Sequence, residues 1–332
     1  MIRVALDAIG GDFAPAAPVA GAVQALAGLE DDVVIQLVGR TADVEAELTK
    51  QHADRTRIEL VEAPEVIGMG EKPVEAIRGK RESSIVLGLG LQKQGKSDAF
   101  ISAGNTGAVM AGATLLLRLL PGFERPAIGT PFPTADHPVL LLDAGANVDC
   151  TAQELVGFAH LGVLYARDVL GRKNPGVGLL NIGEEDEKGN AAAKEAYRLL
   201  SAGTLTFVGN VEGRDILRGR NDRGAFDVVV CDGFVGNVLL KFYESVRHLF
   251  HRMVEREAGK DVAASEAFQR IWHFLDYERF GGAPLLGPRG ACVICHGRSS
   301  PEALANAVRV AVEAARHHLV QHMTSEFAQA AS

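Results

Sequence analysis

The run Phe226 to Lys241, FDVVVCDGFVGNVLLK, passes from three valines and a cysteine through a Gly-x-x-Gly turn into a new apolar period. Branched residues favour a pleated strand, glycine lets the backbone turn, and the later spacing is helical. The segment therefore reads as strand, turn, helix, and the same order repeats outward in both directions. Strands are expected at Ile2 to Leu6, Val33 to Val38, Ile58 to Val61, Ala99 to Ser102, Val139 to Leu142, Val177 to Leu180, Leu205 to Val208, Val228 to Cys231 and Cys292 to Cys295. Helices are expected between and after them, at Pro18 to Leu29, Ala42 to Gln51, Ser83 to Gln94, Thr106 to Leu119, Ala152 to Leu170, Lys188 to Leu200, Phe234 to Arg256 and Pro301 to Met323. Such alternation specifies a three-layer α/β/α fold with a mostly parallel sheet, here taken as one domain over residues 1–332. The polar stretch at about 253–276 breaks the alternation and reads as a helical excursion, a dimer arm or a lid.

Composition narrows the function. Of 332 residues, 47% are hydrophobic and 23% charged, which suits a soluble protein with a full core. A formal charge of -8 argues against a nucleic-acid partner, whose footprint is a basic face. The start MIRVALDAIGGD enters a strand at once and lacks a signal-peptide pattern, so a cytoplasmic location is expected, with peripheral contact at the inner face of the membrane left open. The apolar run Ala108 to Leu117 is too short to span a bilayer. Four cysteines in such a chain are read as thiols.

Two motifs mislead. Gly90, Gly95, Lys96 and Ser97 have P-loop spacing, but here a helix ends at the motif and a strand follows, the reverse of a phosphate-binding P-loop. Cys292, Cys295 and His296 form CVICH, the spacing of a haem attachment site, in a run that reads as a buried strand in a chain without an export signal. Neither a metal site nor a cofactor is expected.

The chemistry lies in the loops. Asn105 in SAGNTGA, Asn147 in DAGANVD, Asn181 in LNIGEED, Asn210 in VGNVEGRD and Asn237 in CDGFVGN each stand beside glycine just past an expected strand. Open α/β sheets bind ligands at those ends, where free amides and asparagine side chains suit anions and polarised carbonyls. No Gly-x-Ser-x-Gly elbow is present, so the site positions two substrates and stabilises charge, one substrate supplying the attacking oxygen.

The opening run also resembles the strand-to-helix turn of the isocitrate and isopropylmalate dehydrogenases, with Asn237 and Lys241 where those enzymes carry metal-binding carboxylates. Over nearly its whole length the chain resembles the phosphate acyltransferases of bacterial phospholipid synthesis, the PlsX family. The resemblance is carried by LDAIGGDFAP from Leu6, EVIGMGEKPVEAIRGKRESS from Glu65, SAGNTGAVMAGA from Ser102, LLDAGANVDC from Leu141, LLNIGEEDEKGN from Leu179, KEAY from Lys194, VGNVEGRDI from Val208, CDGFVGNVLLK from Cys231 and GGAPLLG from Gly281. It implies conversion of acyl-[acyl-carrier-protein] and inorganic phosphate into acyl phosphate and free carrier protein. It further implies a fold shared with those dehydrogenases and with phosphotransacetylases, a homodimer, no metal, and loose association with the membrane where a glycerol-phosphate acyltransferase consumes the product. The excursion MVEREAGKDVAASEAFQR is more polar than in related proteins.

The expected site follows from both readings. Asn105, Thr106 and Gly107, with Lys194 or Lys241, hold phosphate as it attacks the thioester directly, without an acyl-enzyme. Asn237, Asn210 or nearby amides meet the oxyanion, while Asp232 and His296 orient groups or handle protons. Asp143, Asn147 and Asn181 complete the substrate-binding loops, and Lys72, Arg78, Lys80 and Arg81 form the patch for carrier protein. Two other classes stay open: a metal- and nicotinamide-dependent dehydrogenase of the same fold, and a noncatalytic partner of lipid-synthesis enzymes.

Overall fold

Residues 1–330 are described in the computed structural model, and the chain leaves its first unit at Pro126, builds a second from Ala127 to Arg279, and then returns to the first. The outgoing half of the first unit contains β1 (Ile2–Asp7), α1 (Ala16–Leu26), β2 (Val33–Gly39), α2 (Thr41–Lys50), β3 (Ile58–Glu62), α3 (Pro73–Gly79), α4 (Ser84–Lys93), β4 (Ala99–Ser102) and α5 (Thr106–Gly112), the last prolonged by a π-helical turn, Ala113–Leu117. The second unit contains β5 (Ala127–Phe132), β6 (Val139–Leu142), α6 (Ala152–Asp168), β7 (Gly176–Leu180), α7 (Ala191–Ala202), β8 (Thr206–Val211) and α8 (Gly213–Ile216). It continues with the small hairpin β9 (Arg220–Asn221) and β10 (Gly224–Ala225), then β11 (Val228–Val230), α9 (Gly233–Glu257), α10 (Lys260–Ala263) and α11 (Glu266–Phe274). The return adds β12 (Ala283–Leu286), β13 (Ala291–Ile294), α12 (Pro301–Arg316) and α13 (Leu319–Ala330).

In the first unit the strands lie in the order β3-β2-β1-β4-β13-β12, parallel except for β12 against β13. In the second the order is β5-β6-β11-β7-β8, parallel except for β5 against β6. Parallel strands covered on both faces are continuous apolar runs. All seven residues of β2 and all four of β6 are accordingly buried. Two helix groups cover the first sheet: α1 touches both α2 and α12, and α5 touches both α3 and α4. Close approach needs small residues; a Cβ on Gly21 of α1 would lie 2.7 Å from Leu304 of α12. In the second unit α6 packs on β6, β7 and β11, and Thr151 and Glu154 cap its start reciprocally.

The mostly parallel α/β architecture expected from the sequence is the one observed. The sequence reading missed β5 and β12, whose Gly-x-Pro and Ala-Pro composition argues against strands. Both are the antiparallel members of their sheets. The helix expected from Pro301 to Met323 is broken at His318, which has φ 53°. The polar stretch at 253–276 does not begin a new element, because α9 runs through Met253 to Glu257 and is followed by α10 and α11. Gly95, with φ 68°, follows α4 and precedes β4, so the P-loop spacing has the reversed context. Cys292 lies on β13 and Cys295 just past it, both buried and neither in a disulfide.

Candidate active site

In the first unit the strand order reverses at β1 and β4, the place where an open α/β sheet leaves a crevice. Asp7 ends β1 and is buried. Its carboxyl accepts the Ser102 hydroxyl at 2.7 Å and the Ile9 amide at 3.2 Å. Burial pushes its pKa up, and the bonds from Ser102 and Ser84 oppose that rise. Asn105 caps α5: its Oδ1 accepts the Ala108 amide at 3.0 Å, and its Nδ2 donates to the carbonyls of Gly68, Met69 and Glu71. Its side chain thus wires α5 to the loop before α3. Thr106 is exposed, and Gly107 is needed because a Cβ would lie 2.6 Å from Pro73. His296 is exposed past β13, its Nδ1 accepting the Arg298 amide at 3.2 Å. Of the four basic residues beside α3, Lys72 pairs with Glu75 at 3.3 Å and Lys80 with Glu71. Arg78 and Arg81 are exposed and form no ion pair among the described residues.

The second unit repeats the buried carboxyl. Asp143 follows β6 directly and accepts five N–H bonds: the amides of Ile128, Gly145, Ala146 and Asn147, and the Asn147 side chain. Burial raises its pKa, against those bonds. The turn from β11 into α9 crosses directly over it. A Cβ on Gly233 would lie 2.7 Å from the Asp143 carboxylate, and one on Gly236 only 1.9 Å from its carbonyl oxygen. Asp232 is the N-cap of α9, accepting the Phe234 amide at 2.8 Å and the Cys150 amide at 2.8 Å.

Above this floor opens a cleft of about 930 Å³. One wall is the exposed face of α9: Phe234, Val235, Val238 and Phe242. The other is formed by Ile182, Asn190, Ala192, Ala193 and Gly213. Phe234 is 63% exposed, Phe242 66% and Ile182 82%, a large apolar surface to leave facing water. Asp149, Asn181, Asn190 and Asp232 supply the polar part of the lining. Cys150 and Cys231 also line it, with burial pushing Cys150 up to about 12 and Cys231 well above its ordinary value.

The remaining expected residues divide by how their polar atoms are occupied. Buried Asn210 donates to the Glu185 carbonyl at 2.8 Å and accepts Asn181 Nδ2 at 3.1 Å, so the pair latches the 181–190 loop. Lys241 is exposed and held by Glu244 at 3.0 Å. Lys194 is exposed on α7, one turn from cleft-lining Asn190, and has no partner among the described residues. Asn237 is exposed on α9, with its Cβ 3.3 Å from where a side chain on Gly145 would begin. Glu184, Glu185 and Asp186 of the same loop are each paired, with Arg214, Lys188 and Arg223.

The apolar wall was not among the expected site residues. Its signal is in the sequence, because the start of α9 is apolar on two faces: Leu239, Leu240 and Tyr243 pack on the core, leaving Phe234, Val238 and Phe242 without such a role.

A family model described as "Fatty acid synthesis protein" matches residues 2–322. A phosphate acyltransferase of Nostoc punctiforme is 47% identical, covering 98% of this chain and 96% of that one. Another, of Desulforamulus reducens, is 48% identical, covering 96% of each. Among solved structures, a phosphotransacetylase from Streptococcus pyogenes aligns with a TM-score of 0.64 at 17% identity, over 95% of this chain and 94% of that one. A 4-hydroxythreonine-4-phosphate dehydrogenase from Klebsiella pneumoniae aligns at 0.54 and 13%, over 96% and 99%. These likenesses show a fold shared with phosphotransacetylases and dehydrogenases, and the sequence matches give the family: the chain belongs to the phosphate acyltransferase family and is an acyltransferase.

Proposed function

We propose that the protein transfers the acyl group of acyl-[acyl-carrier-protein] to inorganic phosphate in the second-unit cleft. The observation that carries this reading is an apolar cleft with a partly polar lining at the strand ends of a phosphate acyltransferase family member. Phosphate is held by Lys194 and by the Ala191 and Ala192 amides at the start of α7, which the Asn190 cap leaves free while it takes the Ala193 amide. Lys194 suits this better than Lys241, whose charge Glu244 offsets, and better than Asn105, whose side chain is occupied.

A phosphate oxygen attacks the thioester carbon, a C–O bond forms, and the carbonyl oxygen becomes an oxyanion near the Asn237 side-chain amide, which has no hydrogen bond among the described residues. The C–S bond then breaks, and the carrier thiolate takes the proton that hydrogen phosphate brought. Burial raises the pKa of both cleft cysteines, which disfavours the thiolate a cysteine nucleophile needs and supports direct attack without an acyl-enzyme. The acidic carrier docks on Arg78 of α3 and on Arg81 just past it, which have no ion pair among the described residues.

The exposed residues farther along α9, Val246, Leu249, Phe250 and Met253, pair with a second copy of the chain to form a homodimer. Among the described residues no helix is long and apolar enough to cross a membrane. We place the protein in the cytosol, peripheral to the membrane, where a glycerol-phosphate acyltransferase takes up its product. The test is to incubate the purified protein with an acyl carrier thioester and phosphate. Phosphate-dependent thiol release with an acyl phosphate trapped by hydroxylamine is expected; thiol release without phosphate, or none at all, overturns the reading.

A further inference from the structure

We infer that the acyl chain of the donor lies against the exposed α9 wall, and that Gly213, on the facing wall, sets the chain length the enzyme accepts. This rests on the acyl-transfer reading of the cleft. A fatty acyl chain is the occupant that the lining calls for. Phe234, Val238, Phe242 and Ile182 stay largely in water in the free protein, and an apolar ligand along them removes that surface from solvent. The four residues from Val238 to Phe242 and the four from Phe234 to Val238 place the three α9 side chains one turn apart, a strip about 12 Å long at the helical rise. An extended hydrocarbon chain fits a strip; a compact acyl group would use only one end of it.

Gly213 is singled out by space. Two glycines line the cleft. Gly189 has φ 93°, and a Cβ there would lie 2.7 Å from Asn181, so its lack of a side chain serves the backbone. Gly213 has no such constraint: it opens α8, and a Cβ there meets nothing within 4 Å. No local packing demands glycine at this position. Gly213 is exposed at the lining of the cleft, so an added side chain stands at the cleft rim and displaces no packed atom. A larger residue therefore shortens the accepted chain while the unit still folds.

The experiment measures kcat/KM for palmitoyl and octanoyl carrier thioesters, and KM for phosphate, in the wild type and in Gly213→Ala, Gly213→Leu and Gly213→Phe. The palmitoyl-to-octanoyl ratio is expected to fall in graded order, by about tenfold or more at Leu, the scale of misfitting a few methylenes in an apolar pocket, with KM for phosphate unchanged. A ratio that stays constant across the series overturns the inference, as does equal loss for both donors, which would put Gly213 at the reacting end. A change of oligomeric state in place of the ratio would make a second copy the occupant of this wall, and also overturns it. Failure of the acyl-transfer reading looks different: the wild type itself then forms no acyl phosphate from either donor. Gly213→Ala, which adds one methyl, keeps the test usable where a bulkier variant does not fold.

Discussion

The Asp7 loop of the first unit and the Asp143 loop of the second are built alike and end differently. Each buries a carboxyl at the end of a strand, after a leucine and before an alanine, and brings glycines within van der Waals distance of it. In the first unit the nearby asparagine, Asn105, turns inward and ties α5 to the 68–71 carbonyls. In the second the corresponding inward tie is made by Asn147 to Asp143 itself, and the helices that follow leave an open apolar cleft above the knot. The same polar device thus makes a closed joint in one place and the floor of a site in the other. A strand-end asparagine is no guide to which of the two it builds; the occupancy of its amide is.

The sharpest way to break that comparison is to remove one residue from each side. Lys194→Ala is expected to lower the phosphate-dependent rate on the order of a hundredfold, the typical cost of losing one charge-stabilising donor. Because Lys194 is exposed and has no partner among the described residues, the variant's urea midpoint should stay at the wild-type value. A variant with full activity, or one whose loss tracks destabilisation, would move the chemistry out of the second-unit cleft. The floor itself is tested by Gly236→Ala, whose methyl would meet the Asp143 carbonyl oxygen at 1.9 Å, a backbone atom that cannot swing aside. Overpacking of this kind costs roughly 1–3 kcal/mol, read as a lower urea midpoint. Gly10→Ala, whose methyl would meet Asp7 Oδ2 at 2.3 Å, should cost a similar amount if the two knots are equivalent.

Next in size is Asn105→Ala, which removes a helix cap and leaves three carbonyls without their donor. About 1–2 kcal/mol of stability should be lost, with the rate per folded molecule nearly retained. The opposite result, unchanged stability and a collapsed rate, would return Asn105 to the phosphate site that its sequence context suggests. That context shows what the sequence can and cannot convey. The alternation of valine-rich runs with amphipathic stretches was sufficient for the mostly parallel α/β fold, because parallel strands buried on both faces have few ways to be spelled. β5 and β12 escaped because Pro131 and Pro284 are tolerated in antiparallel members, a fact only pairing reveals. At the site, glycine and asparagine marked where the strand-end loops are. They did not mark which amides stay free, since Asn105 and Asn210 are occupied by partners 34 or more and 25 residues away in sequence. The apolar wall was missed for a different reason: a helix with two apolar faces reads as merely buried until one face is seen in water.

The smallest expected effect separates the two carboxyls by titration. Burial raises both Asp7 and Asp143, so each binds its proton more tightly folded than unfolded. A group raised in this way contributes stability in full below the ordinary carboxylate range and loses it as pH climbs through the raised value. Wild-type stability should therefore contain a component that declines from acid toward neutral pH. Five N–H donors favour the charged form at Asp143, whereas Asp7 relies on the hydroxyls of Ser102 and Ser84 with the Ile9 and Gly10 amides. More donors oppose the rise more strongly, so the component from Asp7 should be the larger. Urea midpoints across that pH range in Asp7→Asn and Asp143→Asn measure it as the slope each substitution removes, which cancels every other titrating group. A larger slope lost from Asp143→Asn than from Asp7→Asn would mean that the buried hydroxyls, not the amide cage, are the stronger brake on protonation, and the two knots would then be alike in shape but not in electrostatics.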